Sequence, residues 1–235
     1  DFLRLQMDNA RAIVLRHDVD RCVSRAVAMA ELEHELGIKS TYYVRVTQGV
    51  FRPPAIKRLH ELGHEVGYHS ETLSRADGDS KQAIELFEHD LACLRKIVPV
   101  STISMHGSPL SRWNNLDMRQ DYDYQDFGII GDAVLSLQNR DAYYFTDAGR
   151  SWADSAPNLR DRVSSAEGKP SVRTTAELMN FLASGTERTV CISAHPNRWA
   201  GSFCGWLVSA LSDAAANGIK HLLKCRLRLT RVKRR

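Results

Sequence analysis

The sequence predicts an α/β chain on a parallel sheet, closed as a barrel or left open, and three observations carry that reading. Short β-branched and aromatic runs alternate with amphipathic helical stretches along the chain. The first two helical stretches stop at glycine, at Gly37 and Gly63. Clusters of His, Asp and Glu come just after apolar runs, at the strand ends where parallel β/α architectures gather ligands. At 235 residues, 43% hydrophobic and 26% charged, the chain can bury a sizeable core and lacks the composition of a disordered polymer. Neither a repeat nor a linker divides it, so residues 1–235 read as one domain.

Taken in order, "AIVL" is a strand that runs into His17. In "VSRAVAMAELEHELG", Val23, Val27, Ala30 and Leu36 recur near helical spacing. "STYYVRV" is a strand by its aromatic and β-branched content. "PPAIKRLHELG" opens on proline and closes on glycine, the asymmetry of a short helix. "EVGYH" is the next strand, and "SKQAIELFEHDLACLRKI" is an amphipathic helix ending before Pro99. "STISMHG" is followed by a polar stretch from Ser111 to Gln125. "FGII", "AYYFT" and "TVCISAH" are further strands, with the helix "TAELMNFLASG" before the last. Residues 148–170, rich in Ser, Asp, Gly and Pro, read as a long loop over one face.

Charge and cysteine content narrow the class. The net charge is +4, but Lys220 to Arg235 holds eight Lys or Arg and no acid, so subtracting it leaves the rest at −4. Such a segment is a solvated terminus or a contact for anionic lipid headgroups. Its "CRLRLTRV" alternation suits a half-exposed strand equally. No nucleic-acid partner is expected. No apolar run reaches the roughly 18 residues of a membrane span, and no leader precedes the first strand, so the expected setting is the cytoplasm. The cysteines 22, 93, 191, 204 and 225 form no close pair, which predicts reduced, mostly buried thiols.

The polar clusters are His17-Asp18-Val19-Asp20, Tyr68-His69-Ser70-Glu71, His106-Gly107-Ser108 and His195-Pro196. Four strands ending in such residues on one face would converge on one pocket. Carboxylate and neutral imidazole suit zinc, cobalt, iron or nickel, with a position left open for water. A nearby carboxylate could take a proton from that water, and a histidine across the pocket could protonate a leaving group. A single His-Asp pair at a strand end more often ties a loop; the repetition is what points to a site. The remaining histidines, 34, 60, 64, 89 and 221, read as surface or packing residues.

"LRHDVD", "GHEVGYHSETL", "MHGSPLSRW" and "ISAHPNRW", in that order, resemble the polysaccharide deacetylase superfamily. This is the NodB-homology or carbohydrate esterase family 4 domain, here of the subgroup with an HDVD opening. The resemblance runs from Ala12 to Trp199 and implies a distorted (β/α) barrel of seven strands. It implies metal-dependent removal of acetyl groups from sugars, with zinc, or cobalt, nickel or iron, as the metal. Asp18 falls at the base position and Val19 where the family carries a metal-binding aspartate, so Asp20 is expected as the ligand, although the two could exchange roles. His69 matches the first histidine of the second motif; Leu73 stands at the second. His106 is the candidate replacement, giving Asp20, His69 and His106 as ligands. His195 takes the general-acid position, and Glu71 would orient a ligand imidazole.

Trp113, Trp152 and Trp199 are candidates for stacking on sugar rings, with core packing the equal alternative. Arg112 and Arg150 could meet an anionic substrate. The expected substrate is an N-acetylated amino sugar, free or carried on a nucleotide or lipid. A glycan-binding pseudoenzyme of the same fold and a metal hydrolase acting on another bond, such as a formamide, are the alternatives. Peripheral membrane contact through residues 220–235 is a further expectation.

Overall fold

In the computed structural model, residues 12–109, 111–138, 141–153, 165–215 and 218 are described. The strands are β1 (Ile13–Val19), β2 (Thr41–Val44), β3 (Glu65–Ser70), β4 (Thr102–Met105), β5 (Gly131–Asp132), β6 (Ala142–Thr146) and β7 (Thr189–Ala194). The helices are α1 (Val23–Glu35), α2 (Pro53–Glu61), α3 (Thr72–Arg75), α4 (Ser80–Arg95), α5 (Leu135–Gln138) and α6 (Thr175–Ala183), with a last helix, α7, over residues 203–215. Every ladder is parallel, in the order β5-β4-β3-β2-β1-β7-β6.

The sheet curls into a distorted (β/α) barrel. Its outer strands, β5 and β6, share no ladder among the described residues. Side chains bridge the gap instead. Ala133, just beyond β5, and Tyr144 of β6 join Val14, Tyr43 and Cys191 in one buried cluster. Residues paired in a parallel register face the same way. Asp18, Tyr43 and Gly67 therefore share the inner face, as do Arg16, Thr41 and Ser193. Gly67 is needed there, since a Cβ at that position would lie 2.3 Å from the Tyr43 ring. The opposite face is apolar and covered: Val19, Tyr42, Val44, Val66, Tyr68 and Ile103 pack on α1, α2 and α4. Phe145, Val190 and Ile192 pack on α6 and Trp152.

The helix signals are local. Pro53 and Pro54 open α2, and the Asp79 carboxylate accepts the Gln82 N–H at 3.0 Å to start α4. Thr174 and Glu177 cap α6 reciprocally.

Several expectations shift. "FGII" is not a strand: Phe127 closes a 3₁₀ turn capped by Gly128 at φ 69°, and pairing begins only at Gly131. The polar stretch from Ser111 folds into two 3₁₀ turns, Asn115–Gln120 and Tyr124–Phe127, anchored by buried Met118. α7 lacks the sequence pattern of a surface helix, because its buried side is polar and its outer side apolar. Of the described thiols, expected to be mostly buried, only Cys191 is; Cys22 caps α1 with a left-handed backbone in solvent, Cys204 is exposed in the first turn of α7, and Cys93 is half-buried. Residues 154–164 of the long loop, His221, Cys225 and the basic segment 220–235 lie outside the described residues.

Candidate metal centre and acid–base site

Alternation along β1 decides which of its polar residues enter the barrel. Asp18 points inward, whereas His17 and Val19 point to the helices. His17 is thereby removed from the expected pocket. Its Nε2 lies 2.7 Å from Glu33 of α1, which also accepts from Ser40 Oγ at 2.6 Å and Tyr42 Oη at 2.7 Å. His64 completes this outer network through Ser40 at 3.0 Å and the Ala30 carbonyl at 2.9 Å.

Asp20, just past β1, meets two imidazoles. His69 at the end of β3 brings Nε2 to 3.3 Å from Asp20 Oδ1, and His106, just past β4, brings Nε2 to 3.5 Å from the same oxygen. One ligand atom from each of the three residues lies within 4.8 Å of the others.

The tautomers follow from the partners. His69 Nδ1 lies 3.0 Å from the Ser104 carbonyl, which can only accept, so Nδ1 carries the proton. His106 Nδ1 lies 2.9 Å from Glu71 Oε2. Glu71 is ionised: burial would raise its pKa, but His106 and Arg45 outweigh that and bring it to about 2. Arg45 grips both Glu71 oxygens, at 2.7 and 2.8 Å from Nη2, and donates from Nη1 to the Asp20 carbonyl at 3.0 Å. In the neutral imidazoles both Nε2 atoms thus present lone pairs to Asp20 Oδ1. That oxygen is buried and accepts no hydrogen bond. Facing lone pairs repel unless a cation lies between them, so the donor set fits a divalent metal.

Two further groups border this centre. Asp18 is bound in a fork by Arg16, at 2.9 and 2.7 Å, and both residues are buried. Burial would raise the Asp18 carboxyl, but Arg16, with His69 and His195, holds it well below the usual range. His195, just past β7, places Nε2 3.9 Å from Asp20 Oδ2, while its Nδ1 meets Asp147 Oδ1 at 2.6 Å. Burial and Arg198 push the His195 pKa down, and the Asp147 charge and hydrogen bond outweigh them, so the net shift is upward.

No family model and no curated protein matches the chain. Among solved structures it is similar to a CE4 esterase of Streptococcus mutans, with 16% identity and a TM-score of 0.51 over 96% of this chain and 87% of that one. The chain has the carbohydrate esterase family 4 fold. A peptidoglycan deacetylase from Bacillus subtilis is 12% identical, with a TM-score of 0.49 over 96% of this chain and 97% of that one. A CE4 family pseudoenzyme from Bacillus anthracis is 12% identical, with a TM-score of 0.47 over 88% of this chain and 62% of that one.

Within this esterase fold the other expected residues separate. Leu73 and Val19 both lie in the apolar core. Trp199 is 43% exposed, with its indole N–H donating to Asp147 Oδ2 at 3.0 Å. Trp113 packs against the helical core and over Gly78, and exposed Arg112 sits 4.7 Å above its ring. Trp152 is buried under α6, so its ring serves core packing. Arg150 is paired with Asp213 at 2.8 Å instead of standing free for substrate.

Sequence reasoning missed Arg16, Arg45, Asp147 and Arg198. Two had a readable signal. Arg16 stands two residues before Asp18 on the same strand face, and Asp147 directly follows "AYYFT", the strand-end position that singled out the other clusters.

Proposed function

We propose that this chain is a metal-dependent hydrolase that removes an acetyl group from an amino sugar or glycan intermediate. The observation that carries the reading is the buried Asp20 Oδ1, faced at 3.3 and 3.5 Å by two imidazole nitrogens that present lone pairs when the rings are neutral. Asp20, His69 and His106 would hold the cation; zinc suits them best, with cobalt, nickel or iron as alternatives. When bound, such an ion supplies an acidified water and an electrophile for the acyl carbonyl. In this reading His106 does the work that Leu73, buried in the core, cannot do.

The chain's own groups handle the protons. Asp18 accepts one from the attacking water; the Arg16 fork keeps its carboxylate anionic and fixed in orientation. His195 donates one to the departing amine from Nε2, while Asp147 holds Nδ1–H and stabilises the imidazolium. Trp199 offers a ring face to the sugar; Trp113, its ring packed over Gly78 with Arg112 above it, is the second candidate for that role. Arg112 offers a charge to an anionic carrier group, such as the phosphates of a nucleotide- or lipid-linked sugar. Cys22, Cys93 and Cys204 are free thiols, which suits a reducing compartment such as the cytoplasm.

Val19 and Leu73, apolar where the resembled family carries ligands, favour a second reading, a glycan-binding pseudoenzyme. Elemental mass spectrometry of the wild type beside His69→Ala and His106→Ala, followed by an acetate-release assay on N-acetylglucosamine oligomers, separates the two. One bound metal per chain, lost in both variants, with acetate released only by the wild type, is the expected result. A wild type that takes up no metal after reconstitution would leave the pseudoenzyme.

A further inference from the structure

α7 is built inside out. Its buried side carries Ser209 and Asp213, 9% and 5% exposed. Ser209 Oγ donates to the Asn197 carbonyl at 2.7 Å and accepts from Arg150 at 2.6 Å. Asp213 accepts from Arg150 at 2.8 Å and Arg21 at 3.1 Å, with Arg198 Nε at 3.5 Å. Arg25 of α1 adds a bond to the Gly205 carbonyl at 3.3 Å. The helix is thus fixed to the barrel by polar contacts, and its orientation is not open to rotation.

The side turned outward is apolar. Phe203, Val208 and Leu211 are 73%, 67% and 64% exposed, and Trp206 and Leu207 are 46% and 41% exposed. Asp213 is the one charged residue between 203 and 215, and it is buried, so the helix itself sets no charge on its outer face. A solvent-facing helix normally shows the reverse arrangement. Exposed Trp199 and the paired Phe203 and Trp206 rings, 6.0 Å apart, extend the patch toward the barrel mouth. Trp199 and Trp206 also border a groove of about 310 Å³ that reaches Asp147, the partner of His195.

We propose that the outer face of α7 docks on an anionic membrane surface. Aromatic and aliphatic side chains on a rigid helix insert at the headgroup boundary without spanning it. Charge complementarity selects the lipid. The sequence passes directly from this helix into Lys220–Arg235, with eight Lys or Arg and no acid, while the rest of the chain is net negative. Docking here sets the groove beside Asp147 against the bilayer. The surface stands apart from the hydrolytic reading, because vesicle binding is measured without substrate or metal.

The test is co-sedimentation of the full chain with vesicles of phosphatidylcholine alone and with about a third phosphatidylglycerol. The wild type and a Phe203→Ser, Val208→Ser, Leu211→Ser variant are compared. The expected result is binding to the anionic vesicles that weakens with salt and falls at least tenfold in the triple variant, whose circular dichroism matches the wild type. Absence of wild-type binding would overturn the proposal. Equal binding by the variant would do so too, since the basic segment would then suffice. A wild-type dimer in light scattering that the variant converts to monomer, with no vesicle binding, would show that the face joins two copies. Should the triple variant fail to fold, Phe203→Ser and Val208→Ser singly must each weaken binding severalfold.

Discussion

Two polar clusters lie on opposite faces of the same sheet, built from the same residue types. On the outer face Glu33 accepts hydrogen bonds from His17, Ser40 and Tyr42. On the inner face Asp20 Oδ1 is approached by His69 and His106 and accepts none. The outer carboxylate has its donors and ties α1 to β1 and β2. The inner one is faced by two nitrogens that, in neutral imidazoles, turn lone pairs toward it. A mixture of histidine and carboxylate therefore does not define a site; a carboxylate left without a donor among ordered imidazoles does.

The largest effect that would break this contrast is loss of the centre itself. His69→Ala and His106→Ala should each abolish stoichiometric metal binding and lower hydrolysis by about three orders of magnitude. Glu33→Gln should leave metal content unchanged. If it instead strips the metal, the outer network is part of the site and the contrast fails.

The next effect concerns the support for the ligands. Glu71→Gln and Arg45→Met should weaken metal affinity by about 10–100-fold, measured by competition with a chromophoric chelator, because both hold His106 in place. Unchanged affinity in both would leave Glu71 a merely structural carboxylate.

The outer network should show up in stability. Burial would raise the Glu33 pKa, but its hydrogen bonds from His17, Ser40 and Tyr42 bring it from 4.5 to about 2. A depressed carboxyl stabilises the fold above its unfolded pKa, and that contribution is lost as the pH falls through the folded value. Glu33→Gln should therefore cost about 2–3 kcal/mol at pH 7 and little near pH 2, by urea unfolding across that range. An equal cost at both ends would mean that shape, not charge, is what the variant disturbs.

The smallest effect tests the barrel interior that separates the two clusters. Gly67→Ala puts a Cβ 2.3 Å from the Tyr43 ring and should destabilise by about 1–3 kcal/mol, with metal affinity lowered because His69 lies two residues on. A neutral thermal midpoint would show that Tyr43 has room to move.

Much of this was legible in advance. The strand–helix alternation, the proline and glycine punctuation and the polar strand ends are all local patterns, and β1 through β4 fall where those patterns place them. Asp20, His69, His106 and His195 come together because parallel strands deliver their ends to one face, a rule that needs no coordinates. Two kinds of feature were not legible. β5 has two residues, and its register depends on a turn whose geometry the apolar run "FGII" does not announce. α7 hides its polar side and shows its apolar side, so periodicity alone points it the wrong way.

The sequence by itself determined the order of most elements, the residue types at the strand ends and the apolar faces that close the core, because these follow from spacing along one chain. The tertiary structure decided which face each polar residue enters and which partner takes its proton. It sent His17 to Glu33 and Asp18 to Arg16, and it made Asp147, 48 residues before His195, the carboxylate that orients it. Those outcomes depend on register between strands and on contacts distant in sequence, which local spacing does not encode.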